Sequence, residues 1–400
     1  MTEYDSPYAR LVSGYLPTYQ PSQLSSVSVL HMAANACGPL NLAMQNIIHY
    51  EDDIIMGLRA APQLSQLAGN GDRRAVEVVS MLSSKQACRQ GLTNCPELVP
   101  GIMNCLPSKE AVQAIASLSR DATFATMFFE QGAGNQMVSY FSSPNVLKDA
   151  VVALRNMLAN QSTEALRSIT LPAETVPKLC QLVNASGTSY EIIAPACDCL
   201  RLIGNLNPTG NSSFRSMLSL SSPDGTLAPK LVTLLFEATS RQTGSVQRKI
   251  CVAIARLFAA ISGDEECRMV LVELGAIQGL FAALSFIREM ATTTDFQQSA
   301  TNSILLSMRN ITENIPLSSI STAHSLQNVP YGIDQVVMGL VDVFVTCIDK
   351  LTPTTISYAA GALSNLVANS TELREVAVMR GAVDWLVRVR FKFSKIIFPL

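Results

Sequence analysis

Ten cysteines give this chain its most obvious potential for redox or metal chemistry. They are scattered through apolar stretches, and the only closely spaced pair is Cys197 and Cys199. On a helix, residues at i and i+2 point to different faces, so this pair is poorly placed to hold a metal ion. A chain of 400 residues does not need disulfides to stabilise its core. The sequence therefore predicts buried, reduced cysteines.

Histidines are the next candidates for catalysis. His31, His49 and His324 lie far apart in the sequence and form no recognisable constellation. The chain also lacks a P-loop, a dinucleotide-binding glycine fingerprint, a nucleophile elbow and a zinc-binding helix motif. It has no basic cluster with interleaved aromatic residues of the kind that binds nucleic acid. We therefore expect no enzyme activity, no cofactor, no metal and no direct contact with nucleic acid.

A short pattern returns seven times: an apolar residue, two further positions of which the second varies, and another apolar residue. Successive copies are 36 to 58 residues apart. This spacing fits a repeat of armadillo or HEAT length, about 40 to 47 residues, with later insertions. The copies begin at Val79, Ile115, Leu154, Leu200, Phe258, Met308 and Leu363. The pattern predicts an all-α solenoid, which is one continuous domain built from stacked repeats.

Composition agrees with a large buried core. Apolar residues make up 48% of the chain, charged residues make up 15%, and the formal net charge is −2. No uninterrupted apolar run reaches the roughly 18 residues that a membrane-spanning helix needs. The N-terminus, from Met1 to Asp5, is acidic and lacks the features of a signal peptide. We therefore expect a soluble intracellular protein without membrane insertion.

Four segments are expected along the chain. Residues 1–38 are rich in Ser, Tyr and Pro and predict a flexible tail. Residues 39–68 predict a helix that leads into the first repeat, and the repeats occupy 69–380. Residues 381–400 begin an eighth repeat that stays incomplete and ends in an atypical tail with an exposed apolar edge.

Connections between helices are expected to be of two kinds. Small residues at Gly132, Gly275 and Gly381, each followed by Ala, predict tight turns. Segments 205–213 and 314–332 gather turn-forming residues and predict an enlarged loop and a longer insertion.

Several stretches resemble the armadillo domain of the beta-catenin family. Residues 47–53 read Ile-Ile-His-Tyr-Glu-Asp-Asp and residues 59–64 read Arg-Ala-Ala-Pro-Gln-Leu, which is similar to the start of that domain. Further similar stretches follow in the same order and with nearly the same spacing, at 84–89, 272–275, 306–310 and 359–366. The resemblance covers roughly residues 40 to 390.

This resemblance implies a right-handed armadillo superhelix of about seven repeats and a partial eighth, with three helices in each repeat. In the family, the third helices line a groove that holds extended acidic segments of cadherin cytoplasmic tails and of T-cell-factor-type transcription factors. Asn side chains can pair with a peptide backbone, and basic side chains can pair with its carboxylates. A non-enzymatic adaptor in cell adhesion or Wnt signalling is therefore implied, located in the cytoplasm at cell junctions and, for a transcriptional role, in the nucleus.

Eight residues match groove positions of the family, and two family positions are changed. Arg215 matches only if the 205–213 loop contains an insertion, and an Asn near a helix end can equally be a capping residue. Ala259 stands where a Lys is expected, and Leu306 stands where a Trp is expected. The matching residues are Asn156, Arg215, Lys249, Arg268, Arg309, Asn310, Asn365 and Arg374.

A second binding site is expected before the repeats. Leu40, Met44, Ile47 and Ile48 form one stripe of a helix, and Tyr50 lies just beyond it. In the family this region binds alpha-catenin. The alternative is that the stripe packs on the first repeat.

Some features depart from the family pattern. No Asp-Ser-Gly-x-x-Ser phosphodegron is present, and the sequence stops before the later repeats. The net charge of −2 also does not by itself indicate a basic groove. An importin-alpha-like or other armadillo peptide-binding scaffold is the alternative. Such carriers bind basic signals with acidic and Trp-lined grooves, whereas Trp385 is the single Trp here.

Overall fold

The computed structural model describes residues 62, 64–95, 97–206, 227–240, 244–288, 295–314, 331–347, 352–368 and 370–388. All regular secondary structure in these ranges is helical. The helices are α1 (Arg73–Leu82), α2 (Gln86–Leu92), α3 (Leu98–Asn104), α4 (Lys109–Leu118), α5 (Ala122–Glu130), α6 (Ala133–Ser139), α7 (Leu147–Ala159), α8 (Thr163–Ser168), α9 (Thr175–Asn184), α10 (Tyr190–Leu206), α11 (Leu227–Ser240), α12 (Ser245–Ile261), α13 (Glu265–Glu273), α14 (Ala276–Arg288), α15 (Asp295–Thr312), α16 (Ile333–Cys347), α17 (Pro353–Val367) and α18 (Thr371–Met379). Residues 64–69 and 382–388 are also helical.

Each copy of the sevenfold sequence pattern lies in the C-terminal part of one helix. These seven helices, which we call the third helices, are α1, α4, α7, α10, α12, α15 and α17. The chain divides into two compact units, residues 1–161 and 162–400. In the first unit α4 packs on both α1 and α7. In the second unit α10, α12, α15 and α17 pack in that order, so the predicted repeat helices are confirmed.

Side chains at the helix starts explain where several helices begin. The Asp72 carboxylate accepts hydrogen bonds from the backbone N–H groups of Arg74 and Ala75 at the start of α1. Ser108 caps α4 and Asp264 caps α13 in the same way. These acceptors satisfy N–H groups that have no partner within the helix.

Glycine turns connect helices within the repeats, as predicted. Gly275 lies between α13 and α14 with φ of 79°, and Gly381 follows α18 with φ of 94°. This left-handed conformation is unfavourable for residues with a Cβ atom, so glycine allows the chain to reverse within one residue.

The core is formed by apolar faces of stacked helices. Phe124, Phe128 and Phe258 are fully buried. Among the eight cysteines whose side chains the structure describes, seven are buried and Cys180 is half-buried, which confirms the predicted burial for these residues. Within the same ranges, no single helix is long and apolar enough to span a membrane, although α13 and α14 together meet both criteria across a bend of 73°.

The described chain ends in an exposed apolar edge. Trp385 is buried, but Val383 and Leu386 on the same helical stretch are about half exposed. Val378 and Met379, at the end of α18, are 57% and 79% exposed. Most of the apolar tail that the sequence predicts after residue 381 falls on residues 389–400, which lie outside the described residues.

Candidate functional site

Asparagines tie consecutive third helices to each other. Asn156 on α7 donates its Nδ2–H to the carbonyl of Ala116 on α4, at 2.7 Å. Asn310 on α15 donates to the carbonyl of Ala259 on α12, at 3.2 Å. In both cases the accepting carbonyl belongs to the last turn of a helix, where carbonyls lack intrahelical partners. These amides therefore cap the preceding third helix.

Asn365 on α17 repeats this contact with α15. Its Nδ2 donates to the carbonyl of Arg309 at 3.0 Å and to the Oγ1 of Thr312 at 3.2 Å. Thr312 also donates to the Arg309 carbonyl, at 3.1 Å. The sequence allowed these asparagines to be capping residues. They do cap a helix, but it is the preceding third helix rather than their own.

Exposure separates the three asparagines. Asn156 is only 1% exposed, and its Oδ1 accepts a hydrogen bond from Arg155 Nη1 at 2.6 Å. Placed in this way, it has almost no surface for a ligand. Asn310 and Asn365 are half-buried, so each keeps part of its amide at the surface while its Nδ2 caps the neighbouring helix.

Lys249 and Arg309 place positive charge on the surface of the third helices in the second unit. Lys249 is exposed on α12, and Arg309 is exposed on α15. Neither residue forms an ion pair with any residue in the described ranges. Cations without a carboxylate partner remain available for an acidic ligand.

Two other predicted cations are held against backbone carbonyls. Arg268 on α13 is half-buried, and its Nη1 donates to the carbonyl of Ser262, which ends α12, at 3.0 Å. Arg374 on α18 is exposed, and its Nε donates to the carbonyl of Ser370 at 3.2 Å. A cation at the C-terminus of a helix also stabilises the helix dipole, so Arg268 has a structural role where it lies. The predicted residues Arg215, Leu40, Met44, Ile47, Ile48 and Tyr50 lie outside the described residues.

Arg256 is a basic residue of the same face that the sequence analysis missed. It lies on α12, and its guanidinium donates to Ser303 Oγ and Ser299 Oγ on α15, each at 3.3 Å. Both partners are neutral, and Arg256 forms no ion pair within the described ranges. Its spacing of seven residues from Lys249 was the available signal, because i and i+7 share one face of a helix.

An open surface groove of about 400 Å³, lined mostly by residues of polar type, lies between α15 and α17. Leu306, the residue that replaces the expected Trp, is part of its wall, and Tyr358 supplies an aromatic ring from the other helix. The complete lining is Asp295, Gln298, Ser299, Asn302, Ser303, Leu306, Thr354 and Tyr358. The change at Leu306 therefore lies in an open part of the third-helix face.

The third helices carry a net positive charge, although the whole chain carries a net negative charge. In each of the two units, the third helices carry five basic and three acidic residues, although the chain has a net charge of −2. The basic residues are Arg73, Arg74, Lys109, Lys148 and Arg155 in the first unit and Arg201, Arg248, Lys249, Arg256 and Arg309 in the second. The acidic residues are Glu77, Glu110 and Asp149, and Glu191, Asp198 and Asp295. A local positive excess favours acidic ligands.

The thiols of the second unit are poorly suited to nucleophilic chemistry. Burial raises the pKa of Cys180 to about 11 and that of Cys251 to about 12. At neutral pH these groups are protonated, whereas the thiolate is the reactive form. Within the described ranges there is also no group of His, Cys, Asp and Glu residues that could hold a metal ion.

No protein-family model matches the chain, but curated proteins do. Junction plakoglobin of Mus musculus is 24% identical over 362 residues, which are 87% of this chain and 43% of the relative. Catenin beta of Urechis caupo is 23% identical over 87% of this chain and 39% of the relative. Armadillo segment polarity protein of Musca domestica is 30% identical over 156 residues, or 36% of this chain and 19% of the relative. The chain spans less than half the length of these relatives.

A solved structure has the same fold. It comes from work on a phosphorylation switch that controls the interaction between cadherin and beta-catenin. The TM-score is 0.59 at 21% sequence identity, and the match covers 84% of this chain and 57% of that chain. Together with the third helices described above, this match confirms the predicted all-α armadillo solenoid.

Proposed function

Because the chain belongs to the beta-catenin/armadillo family, we propose that it is a non-enzymatic adaptor that binds acidic, extended peptide segments along its third helices. Cadherin cytoplasmic tails are the proposed partner class. The observation that carries this proposal is the set of cations without carboxylate partners on α12 and α15, Lys249, Arg256 and Arg309, within the described ranges.

Electrostatics supports an acidic rather than a basic ligand. Side chains on the third helices of the second unit have a net positive charge, and α17 carries no charged residue at all. A basic localisation signal, the ligand of an importin-alpha-like carrier, would be repelled by the exposed Lys249 and Arg309. An acidic segment would gain charge-assisted hydrogen bonds at the same positions.

We also propose a second partner class and a second binding site. T-cell-factor-type segments share the acidic, extended character of the proposed ligand. The apolar stripe from Leu40 to Ile48, with Tyr50, is the proposed alpha-catenin site and rests on helical spacing in the sequence. Location in the cytoplasm at cell junctions follows from a cadherin partner. A role in Wnt signalling and a nuclear location would follow from a transcription-factor partner.

Lys249→Glu tests the proposal directly. We expect a fluorescein-labelled acidic cadherin-tail peptide to bind the variant about five- to tenfold more weakly than the unaltered chain, because an exposed attractive charge becomes repulsive. Fluorescence anisotropy at two salt concentrations provides the measurement. Affinity of the unaltered chain is expected to fall as salt rises, because exposed charges are screened.

Lys230→Glu is the matched control. Lys230 is a lysine of the same unit, but it lies on α11, which is not a third helix. Both variants change the net charge equally, so an effect of total charge would weaken binding in both. Equal affinities for Lys249→Glu and the unaltered chain would rule out the third-helix face as the binding surface.

A further inference from the structure

Gly361 on α17 lies directly against the side chain of Arg309 on α15. A Cβ atom added at Gly361 would lie 2.9 Å from Cδ of Arg309 and 3.1 Å from both its Cγ and its Nε. Carbon atoms in contact are normally about 3.5 to 4.0 Å apart. Because Gly361 has no side chain, the aliphatic stem of Arg309 can pack against α17 at this position.

Asn365 contacts the backbone of the same arginine. The Asn365 amide donates to the Arg309 carbonyl at 3.0 Å, one helical turn beyond Gly361. As a result, α17 contacts Arg309 at the stem through Gly361 and at the carbonyl through Asn365. The contact at Gly361 places the side-chain stem of Arg309, and the Asn365 contact holds the backbone from which that stem departs.

We infer that Gly361 is a positioning residue for peptide binding, because it seats Arg309 so that its guanidinium is already directed for an acidic side chain of the ligand. This inference rests on the proposed function. Arginine has many rotamers in water, and ordering them on binding lowers affinity. A guanidinium that is held before the ligand arrives avoids much of that loss.

Gly361→Ala tests this role. An added methyl group displaces the flexible stem of Arg309, while α17 itself gains a better helix former. We expect the acidic cadherin-tail peptide to bind about three- to tenfold more weakly, with a thermal midpoint that does not fall. The slope of log Kd against log salt concentration should also become shallower, as for loss of a charge contact.

A double-mutant cycle connects the effect to Arg309. Arg309→Met alone should weaken binding about tenfold. Adding Gly361→Ala to that variant should then change the affinity by less than twofold, because the guanidinium that Gly361 positions is gone. Gly279→Ala is the matched control, since Gly279 lies within α14 and its added Cβ would contact Leu235 and Phe236 instead. We expect it to leave affinity unchanged.

The outcomes separate this inference from the proposed function. Weaker binding by Arg309→Met together with unchanged binding by Gly361→Ala would overturn the positioning role and leave the peptide site standing. Equal losses from Gly361→Ala with and without Arg309 would overturn it as well, because the glycine would then act on something else. No binding of the peptide by the folded, unaltered chain would refute the proposed function itself.

Discussion

Gly101→Ala is expected to destabilise the first unit by about 3 kcal/mol, at the upper end of what overpacking costs. Gly101 lies in α3, and a Cβ atom there would overlap the carbonyl carbon and oxygen of Ala68 in the helical stretch 64–69. Ala68 is fully buried. The obstacle is backbone rather than a flexible side chain, so relief requires the two helices to separate. Separation would open the buried contacts around them.

Urea unfolding followed by far-UV circular dichroism, combined with hydrogen exchange in α3, would measure the loss. Gly69→Ala is the matched control on the opposite helix, because its Cβ would meet only the Glu97 carbonyl oxygen, at 4.0 Å. We expect that control to change stability by less than about 1 kcal/mol. A Gly101→Ala variant as stable as the control would show that the two helices are not held at this distance.

Sequence periodicity was sufficient to locate the third helices, because each repeat buries the same face and must repeat the same apolar spacing. Asn156, Asn310 and Asn365 were likewise found at one position of that pattern, and all three make the same contact with the preceding helix. A repeating environment leaves a repeating signature. Local spacing was therefore enough to predict both the fold and the positions of the three asparagines.

Contacts that depend on the neighbouring helix could not be read in this way. Arg256 is separated by more than forty residues from the two serines it bonds, and Gly361 is separated by about fifty from the arginine it contacts. Neither residue type is unusual in a helix. Exposure also depends on packing, which is why Asn156 and Asn365 share a sequence pattern but differ in access to solvent.

Asn156→Ala is expected to lower the free energy of unfolding of the first unit by about 2 kcal/mol and to leave peptide affinity unchanged. The Asn156 amide supplies the partner of the Ala116 carbonyl, because the backbone N–H of Arg120 donates to Ser117 instead. Loss of a buried partner leaves that carbonyl unsatisfied, which costs about 1 to 3 kcal/mol. Arg155 also loses the acceptor that it contacts through Asn156.

Asn156→Asp separates the acceptor role of this amide, toward Arg155, from its donor role, toward the Ala116 carbonyl. Aspartate keeps an acceptor for Arg155 but has no N–H group to donate to Ala116, so we expect it to be destabilised although its shape is retained. Chemical denaturation measures the stability, and anisotropy with the acidic cadherin-tail peptide measures the binding. If Asn156→Ala weakened binding more than twofold in a chain that remains folded, the residue would contact the ligand despite its 1% exposure. If only stability changes, exposure decides the role of each asparagine. The buried Asn156 then serves only to join helices, whereas the half-buried Asn310 and Asn365 join helices and also face the ligand.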